Sequence, residues 1–242
     1  MYNYCKNYVE DCCDAQGKPC QFLGEDNWCH KNMVEFYLEK VFNNLKKNHV
    51  PTEERIIFIV GLPEDYSIEK IALEKLGYNV EIQERAGELE EFREQMRRAD
   101  VLADYVYTEE IGVETFIRPE KNLNAAGTYI SYFSRCRNVG LMNYLNFAQI
   151  HLYGKKVVVY GDDIDLVDKL IAAGAVVISS NRYVDLNWQC IDLIINLNSE
   201  INCYPIHFPV IDIANKCINI DNREVVQDCH LLNTVGILEQ LW

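Results

Sequence analysis

Two kinds of segment alternate along the chain. Short runs of β-branched and aromatic residues read as strands: Arg55 to Gly61 (RIIFIVG), Tyr78 to Gln83, Val101 to Tyr107, Val157 to Tyr160, Ala175 to Ser179, Ile191 to Leu197 and Phe208 to Ile213. Between them, apolar residues recur at helical spacing. Met33, Phe36, Tyr37, Val41, Phe42 and Leu45 share one face of a helix over Asn32 to Lys47, which Pro51 ends. Further helices are expected over Ser67 to Leu76 (stopped by Gly77), Glu88 to Arg98, Val139 to Phe147, and through Leu166, Val167, Leu170 and Ile171 to Gly174. Strand followed by helix, repeated, predicts an α/β protein. The expected division is a cysteine-rich extension over 1–31, an α/β domain over 32–148, and a Rossmann-like domain with a parallel sheet over 149–242.

The pattern is clearest from Leu152 to Ser179, a βαβ unit. Its first strand, Val157–Tyr160, ends at Gly161, and the turn Gly161 to Asp165 leads into the helix. In a doubly wound sheet a nucleotide's phosphates sit at such a turn, on the helix N-terminus. Here Asp162, Asp163 and Asp165 occupy it, and Gly161 stands alone with no Gly-x-Gly-x-x-Gly around it. Acids at a helix start favour the helix dipole, and they repel a pyrophosphate. Ser179, Ser180, Asn181 and Arg182, after the second strand, are the residues placed to meet an adenosine 2′-phosphate, although such residues commonly just end a strand.

Composition narrows the function classes. With 242 residues there is room for two small α/β domains, and a formal net charge of -14 excludes nucleic acid as the expected partner. No run of eighteen apolar residues occurs, and MYNYCKNYVEDCC is too polar and acidic for a signal peptide, so the expectation is a cytoplasmic protein with no membrane partner. Of the ten cysteines, Cys5, Cys12, Cys13, Cys20 and Cys29 crowd the first 31 residues, where little apolar periodicity exists to build a core. Thiolates gathered on a metal would order such a segment, as zinc or an iron–sulfur cluster. There is no Cys-x-x-Cys spacing, and a tail of reduced thiols is the competing reading.

Several strings, in order, resemble the bifunctional methylenetetrahydrofolate dehydrogenase/cyclohydrolase family: Ile117-Arg-Pro-Glu-Lys-Asn-Leu-Asn-Ala125, Arg135-Cys-Arg-Asn-Val-Gly-Leu-Met142, Ile150-His-Leu-Tyr-Gly-Lys-Lys-Val-Val-Val159, Pro209-Val-Ile-Asp-Ile213 and Thr234-Val-Gly-Ile-Leu238. The resemblance covers roughly residues 33 to 242 and leaves the cysteine-rich head outside. It implies a folate site with a Tyr-x-x-x-Lys pair, matched by Tyr66 and Lys70, the lysine acting on the one-carbon bridge. A shift of one residue would put Glu69 in the lysine's place; the plain alternative is a solvated helix start with Glu69 and Lys70 both exposed. The family's pterin-gripping aspartate falls on Asn124, and Cys136 and Gly236 fall in the other substrate-binding strings. The family's dinucleotide contacts would fall at Gly161 and Arg182, but the stretch from Gly161 to Ala175 is about four residues shorter than the family's, which argues against NAD or NADP.

Two functions are thus expected as alternatives. One is a divergent tetrahydrofolate enzyme that keeps its folate site rather than its dinucleotide site. The other is a non-catalytic binding or partner module whose metal-bearing head is the functional part. The expected ligand is a folate-type small molecule, with a homodimer or a partner protein left open.

Overall fold

The computed structural model describes residues 56–84, 105–108, 117–125, 131–182, 190–201, 209–214, 217–220, 223–226 and 230–241, with single residues at 43, 44, 47, 90 and 94. The chain divides into two compact units. One takes Leu38–Asn143 and His230–Trp242; the other includes Tyr144–Cys229.

The first unit is built on a parallel sheet of order β2-β1-β3, with β1 Ile56–Val60, β2 Asn79–Gln83 and β3 Tyr105–Thr108. Ile57 pairs with Val80 on one side and Tyr105 on the other. Helix α1, Ser67–Lys75, joins β1 to β2. It ends because Gly77 takes a left-handed φ of 91°, which lets the Tyr78 N–H reach the Leu73 carbonyl at 3.2 Å while Gly77 N–H reaches Glu74 at 2.9 Å. Leu73 and Tyr78 then pack together in the core.

That core holds Ile57, Ile59, Leu73, Leu76, Val80, Tyr107 and Leu123, and also Cys136, Ile237, Leu238 and Leu241. Cys136 opens helix α2, Cys136–Phe147, three residues before the expected start. The last three residues belong to a helix the sequence reading did not foresee, which lies C-terminal to the strands described below. The division expected at 148 puts residues 230–242 with the second domain, whereas their apolar face is buried in the first unit.

The second unit carries a six-stranded sheet of order β5-β4-β6-β7-β8-β9. The parallel part is β4 Lys156–Tyr160, β5 Val176–Ser180, β6 Leu193–Asn196 and β7 Val210–Asp212, and an antiparallel hairpin, β8 Cys217–Ile220 and β9 Arg223–Val226, extends it. Helix α3, Ile164–Ala172, joins β4 to β5 and ends at Gly174 by the same left-handed device as α1, with φ 87°. The Lys155 Nζ and the Lys156 N–H donate to the Asp192 carboxylate at 2.8 and 2.9 Å, which ties the start of β4 to the approach of β6 and holds the Asp192 carboxyl below its usual pKa range. Since β5 and β6 flank β4, the carboxyl end of β4 is a topological switch point. The closing helix is α4, His230–Leu241.

Candidate functional site

Tyr66 in the first unit and Gly161 and Arg182 in the second follow the carboxyl ends of parallel strands, where open α/β sheets hold ligands.

In the first unit, Tyr66 follows β1 and precedes α1, and it is buried. Its ring edge lies against Gly61, where an added Cβ would clash with Tyr66 Cε2. It meets Tyr107 edge to face, with centroids 5.6 Å apart. Lys70 comes four residues later and turns outward: its side chain is 41% exposed and its Nζ stands 3.7 Å from Glu74 Oε1. Glu69 turns inward and is fully buried, on the same stripe as Ala72 and Leu73. The expected solvated helix start therefore describes Lys70 and not Glu69.

The structure brings Asn124, Cys136 and Gly236 together. The Asn124 carboxamide donates from Nδ2 to the Thr108 carbonyl at 2.8 Å and accepts at Oδ1 from the Cys136 N–H at 2.9 Å. It thus joins the end of β3 to the first turn of α2. The Cys136 thiol donates to the Leu123 carbonyl at 3.2 Å. Gly236, in α4, lets this helix approach so closely that an added Cβ would strike the Cys136 carbonyl, and Gly140 in α2 meets the Leu232 carbonyl in the same way. Gln240 completes the set. Its Oε1 accepts from Ser134 N–H at 2.7 Å, and its Nε2 donates to Leu123 O at 3.1 Å and to Cys136 Sγ at 3.2 Å. Nothing local in the sequence marks Gln240, whose partners lie more than a hundred residues away.

In the second unit, the Gly161–Asp165 turn is engaged internally. Gly161 donates its N–H to Ser180 O at 3.1 Å and accepts from Ser179 Oγ at 3.3 Å, and an added Cβ would lie 2.7 Å from Leu197. Asp163 is the N-cap of α3: it is 4% exposed and its Oδ1 accepts from Leu166 N–H at 3.1 Å. Asp165 pairs with Lys169 at 3.1 Å across one helical turn, and Asp162 is exposed. Arg182 is also exposed, its backbone N–H and carbonyl both bonded to the Ser180 hydroxyl. A carboxylate of the chain itself thus caps the α3 N-terminus, the end of a helix at which open α/β sheets bind phosphates.

Cys5, Cys12, Cys13, Cys20 and Cys29 lie outside the described residues. Among the described residues no group of three or more His, Cys, Asp or Glu could hold a metal ion, and no helix is long and apolar enough to cross a membrane.

Two α/β units built on parallel strands, one of them Rossmann-like, define the class. The fold is that of the methylenetetrahydrofolate dehydrogenase/cyclohydrolases. The chain is similar to the bifunctional enzyme FolD of Campylobacter jejuni, with TM-score 0.63 and 17% identity over 86% of this chain and 93% of that one. It is also similar to the Trypanosoma brucei enzyme, whose structure holds NADP and an inhibitor (TM-score 0.63, 12% identity, 87% and 93% covered). The silkworm 5,10-methylenetetrahydrofolate dehydrogenase gives TM-score 0.63 at 13% identity, with 87% and 94% covered. No protein-family model matches the sequence, and no curated protein matches it in sequence.

Proposed function

We propose that this chain is a divergent tetrahydrofolate enzyme that keeps the small-molecule site of the first unit and has given up the dinucleotide site of the second. The observation that carries this reading is the Asp163 cap, which puts a buried carboxylate on the α3 N-terminus. Chemistry of the cyclohydrolase type needs no hydride carrier, so it survives that loss. In this reading Tyr66 orients the ligand, Lys70 assists proton transfer at the one-carbon bridge, and Asn124 and Cys136 shape the substrate-binding end of β3. The Lys70 ammonium is reachable from solvent, as such a role requires.

A second reading, a non-catalytic binding module, is favoured by one feature: both polar ends of the Asn124 carboxamide already serve the fold. Thermal melting with saturating tetrahydrofolate derivatives tests for the ligand, since a ligand held only by the native state raises the melting temperature. Turnover of a methenyl derivative, lost in Lys70→Met with binding little changed, supports the enzyme. Binding without turnover in the unmodified protein supports the module.

A further inference from the structure

Asn196 and the segment after it, residues 197–201, tie together the carboxyl ends of the four parallel strands of the second unit. Asn196, the last residue of β6, donates from Nδ2 to the Ile201 carbonyl at 2.8 Å and to Asp212 Oδ1, at the end of β7, at 3.0 Å. Its Oδ1 accepts from the Asn198 N–H at 3.0 Å, so one carboxamide folds the segment back on itself. Ile201 anchors the far end, buried against Val158, Tyr160, Ile194 and Val210. Leu197 donates its N–H to the Tyr160 carbonyl, at the end of β4, at 2.6 Å. The Asn198 side chain reaches furthest: its Nδ2 donates to the carbonyl of Asn181, one residue beyond β5, at 3.1 Å.

Strand β4 lies between β5 and β6, so the Asn198–Asn181 bond runs from one neighbour to the other across the carboxyl end of β4. Neighbouring strands are about 5 Å apart, so it spans a gap of about 10 Å. At the same strand end Leu197 packs on Gly161, where an added Cβ would lie 2.7 Å from Leu197 Cβ. Gly161 is buried, and its N–H and carbonyl are engaged by Ser180 O and Ser179 Oγ.

In an open α/β sheet a dinucleotide lies across the switch point, and a glycine after the first strand lets the backbone approach its pyrophosphate. Here the chain's own side chains span that crossing and cover that glycine. We infer that Leu197 and Asn198 exclude a dinucleotide from the second unit by occupying its place, independently of the acids in the Gly161–Asp165 turn. The inference deepens the proposed loss of the dinucleotide site and rests on it. Its consequence is specific: a steric obstacle persists when the carboxylates are removed, whereas repulsion by charge goes with them.

Calorimetric titration with NADP of three forms, each checked for folding by circular dichroism, separates the two obstacles. Asp162→Ser/Asp163→Ser removes the charges and keeps a hydroxyl cap at position 163. The combined variant adds Leu197→Gly and Asn198→Gly, and the third form is the unmodified protein. The charge variant should bind NADP less than about threefold more tightly than the unmodified protein, and the combined variant about tenfold or more tightly than the charge variant. Equal affinities of the charge and combined variants, whether both bind or neither does, overturn the inference and leave the proposed loss of the site standing. Micromolar affinity in the unmodified protein refutes that loss itself, and the inference falls with it. Should the combined variant not fold, Asn198→Ala in the charge variant decides, since the bonds its side chain makes to Asn181 and Glu200 are at the surface. A gain of about threefold or more is then expected, and no gain overturns the inference.

Discussion

Asn124 stands where the family it resembles carries an aspartate, and the geometry explains why an amide is required here. Its Nδ2 donates to the Thr108 carbonyl, a bond that a carboxylate cannot make. Asn124→Asp would face two acceptors across 2.8 Å in a buried setting. A loss of about 1–3 kcal/mol in urea unfolding is expected, the usual penalty for an unmade buried hydrogen bond. Asn124 and Cys136 were legible in the sequence because each sits in a recognisable string. Their mutual hydrogen bond, and the part Gln240 plays, were not: they depend on tertiary approach. Lys70 and Glu69 show the same limit. Spacing from Tyr66 admits either as the inward residue, and only packing of the α1 stripe decides.

Among the elements, those bounded by turn chemistry were read well. Gly77 and Gly174 mark the ends of α1 and α3, where each φ is left-handed. The start of α3 was foreseen as an acid-rich turn, and the three acids prove to differ. Asp163 caps, so Asp163→Ala should cost about 1 kcal/mol in thermal or urea unfolding. Asp162→Ala, at an exposed position, should change stability by less than about 0.5 kcal/mol. The hairpin β8–β9 and helix α4 were missed. Between the two strands the sequence reads Asp221-Asn222, a weaker turn signal than Asn-Gly. Helix α4 contains Thr234-Val-Gly-Ile-Leu238, which reads as a strand-like string until α2 is laid against it. Its glycine is there for that crossing. Gly236→Ala would drive a methyl group into the Cys136 carbonyl and force α2 and α4 apart, at a cost of about 1–3 kcal/mol or more. Circular dichroism during urea titration would read it as a lower midpoint.

At the scale of the whole molecule, alternation of strand and helix was enough to predict the α/β class and the parallel strands of the second unit, because buried strands leave continuous apolar runs. The return of the C-terminal helix to the first unit was not predictable, since no local pattern records which core a helix joins. The two sets of strand ends differ in what they leave available. In the second unit the α3 N-terminus is satisfied by the chain's own carboxylate. In the first, the Tyr66–Tyr107 ring contact and the Asn124 amide bonded to Thr108 stand after β1 and at the end of β3. The central claim is that only the latter takes a ligand. Calorimetric titration of one preparation with NADP and with a tetrahydrofolate derivative, each without magnesium, tests it most directly. The expected result is saturable binding of the folate derivative, with NADP weaker by about a hundredfold or more than the micromolar range, as close like charges at the turn imply. Micromolar NADP affinity in the unmodified protein, with no heat from the folate derivative, would contradict the account.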